Sequence, residues 1–270
     1  MLAQIPAPPT NSLSLGPLDL HFYGLAIAIG ALLAIMLTRV RYASYGYNPD
    51  LVDRAALVTI IAGFLGARFG FVFWRLDRYF PDNPLGVFAI WEGGLVLFGG
   101  LLFGVTAAYL YTRRARMSTA AFTDAAAPAL PLAQSLGRWG NYFNQELYGR
   151  PTDLPWALEV DAAHRVPGFE EFSTFHPTFL YESLANLVLV AVIIAVDRYG
   201  TLKRGALLFL YGAGYGVIRF AIELLRIDTE YRILGLSRNN WGFLLVAVIG
   251  TVGLIWWQRR PEPKRSRARR

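Results

Sequence analysis

Cysteine is absent from the 270 residues, and histidine occurs three times, at His21, His164 and His176. Without cysteine the chain has no disulfide framework, no thiolate nucleophile and no sulfur-ligated metal, so any thiol in its chemistry must arrive with a substrate. The histidines are dispersed, without H-x-x-H or H-E-x-x-H spacing, and neither a metal site nor a cofactor is expected. There is also no P-loop, no G-x-G-x-x-G after a strand and no G-x-S-x-G nucleophile elbow. Charge is sparse: 17% of residues are charged against 54% hydrophobic, and the mean hydropathy is +0.36. That is too apolar for a soluble domain of this length and places the chain among membrane proteins.

What charge there is has a position. The formal net charge is +7, but Gln258 to Arg270 holds seven basic residues and one acid, so six of the seven net charges sit on the tail. A basic run after an apolar segment is expected to face anionic membrane lipids on the cytoplasmic side, and nucleic acid is not expected as a partner. Residues 1–20 carry Pro6, Pro8, Pro9 and Pro17 without Lys or Arg, and read as an extracytoplasmic lead-in. Apolar stretches long enough to cross the hydrocarbon fall near 22–38, 55–74, 87–111, 120–137, 178–196, 205–225 and 240–257. The expected fold is therefore an all-α integral membrane protein of seven transmembrane helices. Arg39 and Arg41, Arg113, Arg114 and Arg116, then Arg198, Lys203 and Arg204 follow alternate spans together with the tail, which sets the N terminus outside and the C terminus inside. The domain plan is a catalytic bundle over 1–257, carrying a small external insert at 139–176 between helices four and five, then a basic cytoplasmic tail at 258–270. Within the insert, 156–160 reads as a short strand between Pro155 and the Pro167-Gly168 turn.

Polar chemistry gathers where the fourth span ends, in Gly137-Arg138-Trp139-Gly140-Asn141-Tyr142-Phe143-Asn144-Gln145-Glu146 and on to Gly149. Tyr215, Arg219, Glu223 and Arg226 recur at spacings of four, four and three, which stacks them on one face of the sixth helix. A polar stripe within a membrane segment faces a cavity or a water path. Arg138 and Arg219 suit a phosphate, because a guanidinium stays charged when buried and offers two parallel hydrogen bonds. Each arginine also has a local carboxylate to neutralise, Glu223 for Arg219 and Glu146 for Arg138, and Arg138 could instead snorkel to the headgroups. The glycines of helices two, three and six, among them Gly66, Gly99, Gly100 and Gly216, fit close helix packing first and room for a lipid second. His21 and His176 serve equally as interfacial hydrogen-bonding groups or as bases.

The segment from Gly137 to Glu146 with Gly149 resembles the signature of the prolipoprotein diacylglyceryl transferases of the bacterial inner membrane. His21-Phe22-Tyr23-Gly24, Trp91-Glu92-Gly93-Gly94, the run from His176 to Glu182 and the stripe from Tyr215 to Arg226 match in the same order over nearly the whole chain. The resemblance implies transfer of an sn-1,2-diacylglyceryl group from phosphatidylglycerol to the lipobox cysteine of a prolipoprotein signal peptide, forming a thioether and releasing glycerol 1-phosphate. It implies a multi-pass protein of the inner membrane with its site toward the outer leaflet. By motif position, Arg138 and Arg219 would bind the lipid phosphate, Asn141 and Glu146 would shape the headgroup site, and Tyr23, Tyr215 and Glu223 would be polar partners in catalysis. Gly99, Gly100, Asn144, Gly149, His176 and Phe98 would lie on the substrate side. Substitution at carbon expels a phosphate monoester, and two fixed cations stabilise its growing charge.

One position departs in a way that bears on mechanism. The family carries a histidine, proposed as the base for the thiol, where this sequence has Phe98 before Gly99-Gly100. The expectation here is that the two arginines enrich the thiolate of a group whose pKa is normally near 8.5, with His21, His176 or Glu146 taking the proton. Phe98 is also the support for a second reading, an inactive lipid- or lipoprotein-binding paralogue. A membrane transporter is a third, although no internal repeat accompanies the intramembrane charges.

Overall fold

The computed structural model describes residues 4–16, 18–80, 84–89, 93–229 and 231–261. Trp91, Glu92, Pro17 and the basic tail from residue 262 lie outside these described residues. In chain order the helices are α1 (Phe22–Ser44), α2 (Asp50–Phe73), α3 (Leu76–Tyr79), α4 (Leu97–Arg114), α5 (Thr119–Ala126), α6 (Ala129–Phe143), α7 (Thr178–Tyr199), α8 (Leu207–Glu223) and α9 (Arg238–Arg259). Short strands pair two by two: β1 (Ser12–Leu15) with β2 (Leu18–His21), β3 (Leu158–Glu159) with β4 (Thr174–Phe175), and β5 (Arg232–Ile233) with β6 (Leu236–Ser237), all antiparallel. Two compact units result, one made of residues 1–37 and 126–270, the other of 38–125.

Among the described residues four helices, α1, α2, α7 and α9, are long and apolar enough to cross a membrane. Of the other expected spans, that over 205–225 is α8, Leu207–Glu223, while two differ from their sequence outlines for identifiable reasons. The segment expected over 87–111 becomes helical only at Leu97: Gly93 and Gly94 have φ of 81° and 79°, a left-handed path no helix follows, and Pro84–Phe88 forms a separate 3₁₀ turn. The segment expected over 120–137 is two helices. Pro128 has no N–H to donate and stands between α5 and α6, while Pro131 falls in the first turn of α6, where an N–H would have no helical acceptor. α6 then continues past residue 137 to Phe143, so most of the polar signature lies on a helix rather than after one.

α6 ends at an unusual cap. Gln145 takes φ 52° and Leu147 φ 60°, a region that disfavours side chains. Gln145 is held there through both ends of its amide, donating to Asp161 Oδ2 at 2.6 Å and accepting from the Asp161 N–H at 2.8 Å. The insert that follows is a small sheet. β3 pairs with β4 as the sequence pattern of 156–160 suggests, Pro151 bridges to Phe175 on one side, and Ile5 bridges to Leu158 on the other. The lead-in thus contributes to this sheet, with the Ile5 N–H donating to Ala157 O and the Glu159 N–H to Ile5 O. Beneath it Tyr148, Leu158, Val160, Phe175 and Phe179 form one core cluster.

Elsewhere in this unit α8 packs on α9 and on α7 through glycines: a Cβ at Gly216 would lie 2.5 Å from the backbone of Ala247, and one at Gly214 2.5 Å from Leu189. α9 starts with a capping box, the Ser237 hydroxyl accepting from the Asn240 N–H and the Asn240 side chain accepting from Ser237. At its far end Lys203 Nζ donates to the Gln258 and Arg260 carbonyls, acceptors for which the helix end supplies no N–H donor.

In the second unit α2 and α4 lie so close that a Cβ on Gly99 would sit 2.3 Å from Gly66 O. Gly99 and Gly100 therefore have a packing function. Phe98, one residue earlier, is 80% exposed. Arg68, buried in α2, donates to the carbonyls of Gly86, Val87 and Gly93 at 2.6 to 2.7 Å, and its charge serves to hold that connecting segment.

Candidate active site

α6, α7 and α8 each bring one charged side chain to a common point. Arg138 comes from the last turns of α6, Glu182 from the second turn of α7, and Arg219 from the polar stripe of α8. Glu182, 2% exposed, bridges the two arginines: its Oε1 lies 2.9 Å from Arg138 Nε, and its Oε2 accepts from Arg219 Nη1 at 2.6 Å. The stripe continues the network along α8. Arg219 Nη2 is 3.6 Å from Glu223 Oε2, and Arg226 Nη1 is 3.4 Å from the same oxygen. Glu223 Oε1 accepts from Ser237 Oγ at 3.1 Å and Asn239 Nδ2 at 2.9 Å, which ties the start of α9 to the site. Arg226 grips Asp228 with two bonds, Nε to Oδ1 at 2.8 Å and Nη2 to Oδ2 at 2.5 Å. Burial by itself would push the Asp228 carboxyl up, but the hydrogen bonds and charge of Arg226 outweigh it and hold that carboxyl below its ordinary value.

Buried charges of this density persist only if compensated. Here Arg138, Arg219 and Arg226 stand against the buried Glu182 and Glu223, with Asp228 pairing Arg226 from an exposed position, three of each sign. Arg138, Arg219, Arg226, Asn141, Thr178 and Glu182 line a cavity closed on its apolar side by Leu147, Phe179 and Ile222. Glu182 is the carboxylate that lines it. Three guanidinium groups therefore line one small cavity, each held in place by a carboxylate partner.

The other residues expected from sequence fall at graded distances from this centre. Asn141 joins it directly, accepting from Arg138 Nη1 at 3.3 Å and donating to Glu146 Oε1 at 2.8 Å; Asn144 donates to the same oxygen at 3.3 Å. Glu146 thus serves the asparagines, and the carboxylate on Arg138 is Glu182, from another helix. Tyr215 stands close enough to Arg138, Glu182 and Arg219 to feel their charges. Tyr23 packs its ring on Gly140, where a Cβ would lie 2.5 Å from Tyr23 Cδ2. Gly149 allows three backbone segments to meet: its N–H donates to His176 O, the Arg150 N–H donates to Leu225 O, and a Cβ there would be 2.8 Å from His176 Cβ. The His176 ring turns to Tyr181, Nδ1 to hydroxyl 3.2 Å, and the same hydroxyl accepts from Trp156. Burial, and then the nearby charge of Arg150, hold the His176 imidazole below its ordinary value, which favours its neutral form. His21 is exposed at the end of β2.

The sequence model of the prolipoprotein diacylglyceryl transferase family matches residues 10–257. The chain belongs to this family. It is 43% identical to phosphatidylglycerol–prolipoprotein diacylglyceryl transferase 2 of Streptomyces coelicolor over 94% of this chain and 80% of that one. It is 44% identical to the transferase of Frankia alni over 97% of this chain and 70% of that one, and 41% identical to that of Corynebacterium diphtheriae over 96% and 95%. In this prolipoprotein diacylglyceryl transferase family member, the residue that reading the sequence for site chemistry passes over is Glu182. It stands six residues after His176 in an otherwise apolar helix start, and an isolated carboxylate at that depth is itself a signal. Ser237 and Asn239 are missed for a plainer reason, since nothing local links them to Glu223.

Proposed function

We propose that this chain transfers the sn-1,2-diacylglyceryl group of phosphatidylglycerol to the thiol of a lipobox cysteine in a prolipoprotein signal peptide, with formation of a thioether and release of glycerol 1-phosphate. The observation that carries the reading is the convergence of Arg138 and Arg219, from separate helices, on a buried cavity in a chain of this family. The lipid phosphate takes guanidinium N–H groups of both. As the bond from glycerol carbon to phosphate oxygen breaks, the second negative charge grows against cations that need not move. Asn141 holds Arg138 in orientation, Glu146 holds Asn141, and Tyr215, on α8, stands beside the two arginines. For Phe98, Gly99 and Gly100, a place near the lipid rests on the resemblance alone.

The setting is a bacterial inner membrane crossed seven times, with the site toward the outer leaflet, the 139–176 insert outside and the basic tail inside. The basic residues after alternate spans support it. Because the chain lacks cysteine, single introduced cysteines report sidedness cleanly: Glu171→Cys is expected to label from outside and Thr201→Cys from inside, and the reverse pattern rejects the topology. For the activity, purified protein in phosphatidylglycerol vesicles with a lipobox peptide is expected to add a diacylglyceryl mass to the cysteine. A peptide left unmodified while the protein still binds the lipid supports instead the non-catalytic reading that Phe98 suggests.

A further inference from the structure

The proton of the incoming thiol must go somewhere, and the groups expected to receive it are poorly disposed. His21 is exposed in the β1–β2 hairpin, the His176 ring is engaged with Tyr181, and Glu146 already accepts from Asn141 and Asn144. Phe98 offers no lone pair at all. Glu182, by contrast, lines the cavity between the two arginines, is almost completely buried, and leaves Oε1 without a hydrogen bond of good geometry even though Arg138 Nε is 2.9 Å away.

We infer that Glu182 is the proton acceptor for the thiol, an inference that rests on the transfer reaction proposed above. The charge balance of the site makes the argument. Arg138, Arg219 and Arg226 are matched one for one by Glu182, Glu223 and Asp228, so a lipid phosphodiester brings in a negative charge that none of these cations is free to neutralise. The phosphate competes for the Arg138 and Arg219 N–H groups that serve Glu182, whereas Glu223 keeps Ser237 and Asn239 and Asp228 keeps its two bonds from Arg226. A buried carboxylate deprived of its cations takes up a proton rather than remain uncompensated. Tyr215 and Arg226 also feel the Glu182 charge, and Glu223 faces it across the shared Arg219 guanidinium. The balanced step is this: the S–H proton moves to Glu182, the sulfur pair forms the S–C bond at the glycerol carbon, and the C–O bond breaks onto the phosphate. The proton then passes from Glu182 to a phosphate oxygen, which leaves glycerol phosphate as the monoanion and restores the Glu182 bridge.

The test is the pH dependence of transfer by full-length protein in phosphatidylglycerol vesicles. Glu182→Gln is expected to transfer about a hundredfold more slowly than the unaltered chain near pH 7, the low end of a positioned base's contribution. The deficit is expected to shrink to within about tenfold near pH 9.5, where a thiol of pKa near 8.5 ionises unaided. The KM for phosphatidylglycerol should not rise. A deficit constant with pH, or a KM raised more than tenfold at unchanged kcat, would assign Glu182 to structure or lipid binding and overturn the proposal. The unaltered protein supplies a second arm that does not depend on the variant folding: its rate is expected to vary by less than about threefold between pH 6.5 and 8, and a loss of about tenfold per pH unit below 8.5 would equally overturn it. If the unaltered protein forms no thioether at any pH, it is the transfer reaction itself that fails.

Discussion

Arg138→Ala and Arg219→Ala are expected to differ in stability while sharing a loss of activity. The Arg219 side chain is 6% exposed and touches Glu182, at 2% side-chain exposure, and Glu223, at 0%. It also lies over the Phe243 ring at 4.7 Å. Truncation leaves buried carboxylates short of a cation, a change that costs about 3 to 5 kcal/mol. The Arg138 side chain is 21% exposed, and its removal leaves Glu182 still bonded to Arg219 and opens a path for water, so the loss is that of a charged hydrogen bond, about 1.5 to 3 kcal/mol. At about 2 to 4 °C per kcal/mol for a chain of this size, Arg219→Ala is expected to melt about 6 to 20 °C lower and Arg138→Ala about 3 to 12 °C lower, the former by the larger amount. Thermal unfolding in detergent, followed beside the vesicle transfer assay, measures both. The double variant Arg219→Gln with Glu182→Gln removes one charge of each sign and is expected to recover at least about half of the stability lost in Arg219→Gln, because burying no charge is cheaper than burying one unpaired. Equal melting of the two alanine variants, with no recovery in the double variant, would refute the account of Glu182 as the shared counter-ion.

Gly149→Ala is expected to lower stability by about 1 to 3 kcal/mol and to slow transfer, since its Cβ would lie 2.8 Å from His176 Cβ and 3.2 Å from Leu225 O, both held by backbone hydrogen bonds; a melting temperature unchanged from the parent contradicts the close approach. Phe98→His is expected to change the rate by less than about tenfold if the proton already has an acceptor, and a rise on the order of a hundredfold, the contribution of a positioned base, would show that one is missing. His176 is held below its ordinary value in the folded state, so below about pH 6.5 the unfolded chain binds more protons and stability falls with pH. In His176→Gln that part of the decline should vanish, with transfer at pH 7 preserved within a few fold; a stability profile identical to the parent would mean that the imidazole is as accessible folded as unfolded.

Sequence spacing reveals which side chains share a helix face, and here it does so well. Tyr215, Arg219 and Glu223 line one side of α8, Arg226 follows just past its end rather than on the helix, and Arg138 and Asn141, three apart on α6, touch. What spacing cannot supply is the register between helices. Local proximity nominates Glu146 for Arg138, whereas the tertiary contact is with Glu182, 44 residues further on and on α7. The same limit hides Ser237 and Asn239 from Glu223, and Ile5 from Leu158. Hydropathy fails in a complementary way at Pro128 and at Gly93-Gly94, where the composition stays apolar but proline's missing N–H or a left-handed φ ends the helix. These two blind spots bear on the chemistry. An arginine paired only within its own helix would be available for a phosphate at the expense of local structure, but Arg138 and Arg219 meet on a carboxylate borne by a third helix, and for Arg219 that contact, at 2.6 Å, is shorter than the 3.6 Å one to Glu223 on its own helix. A ligand that displaces that carboxylate leaves each helix's own hydrogen bonds intact. The bridge is therefore the element of the site able to exchange partners without unfolding anything, and the proton balance of transfer is expected to run through it.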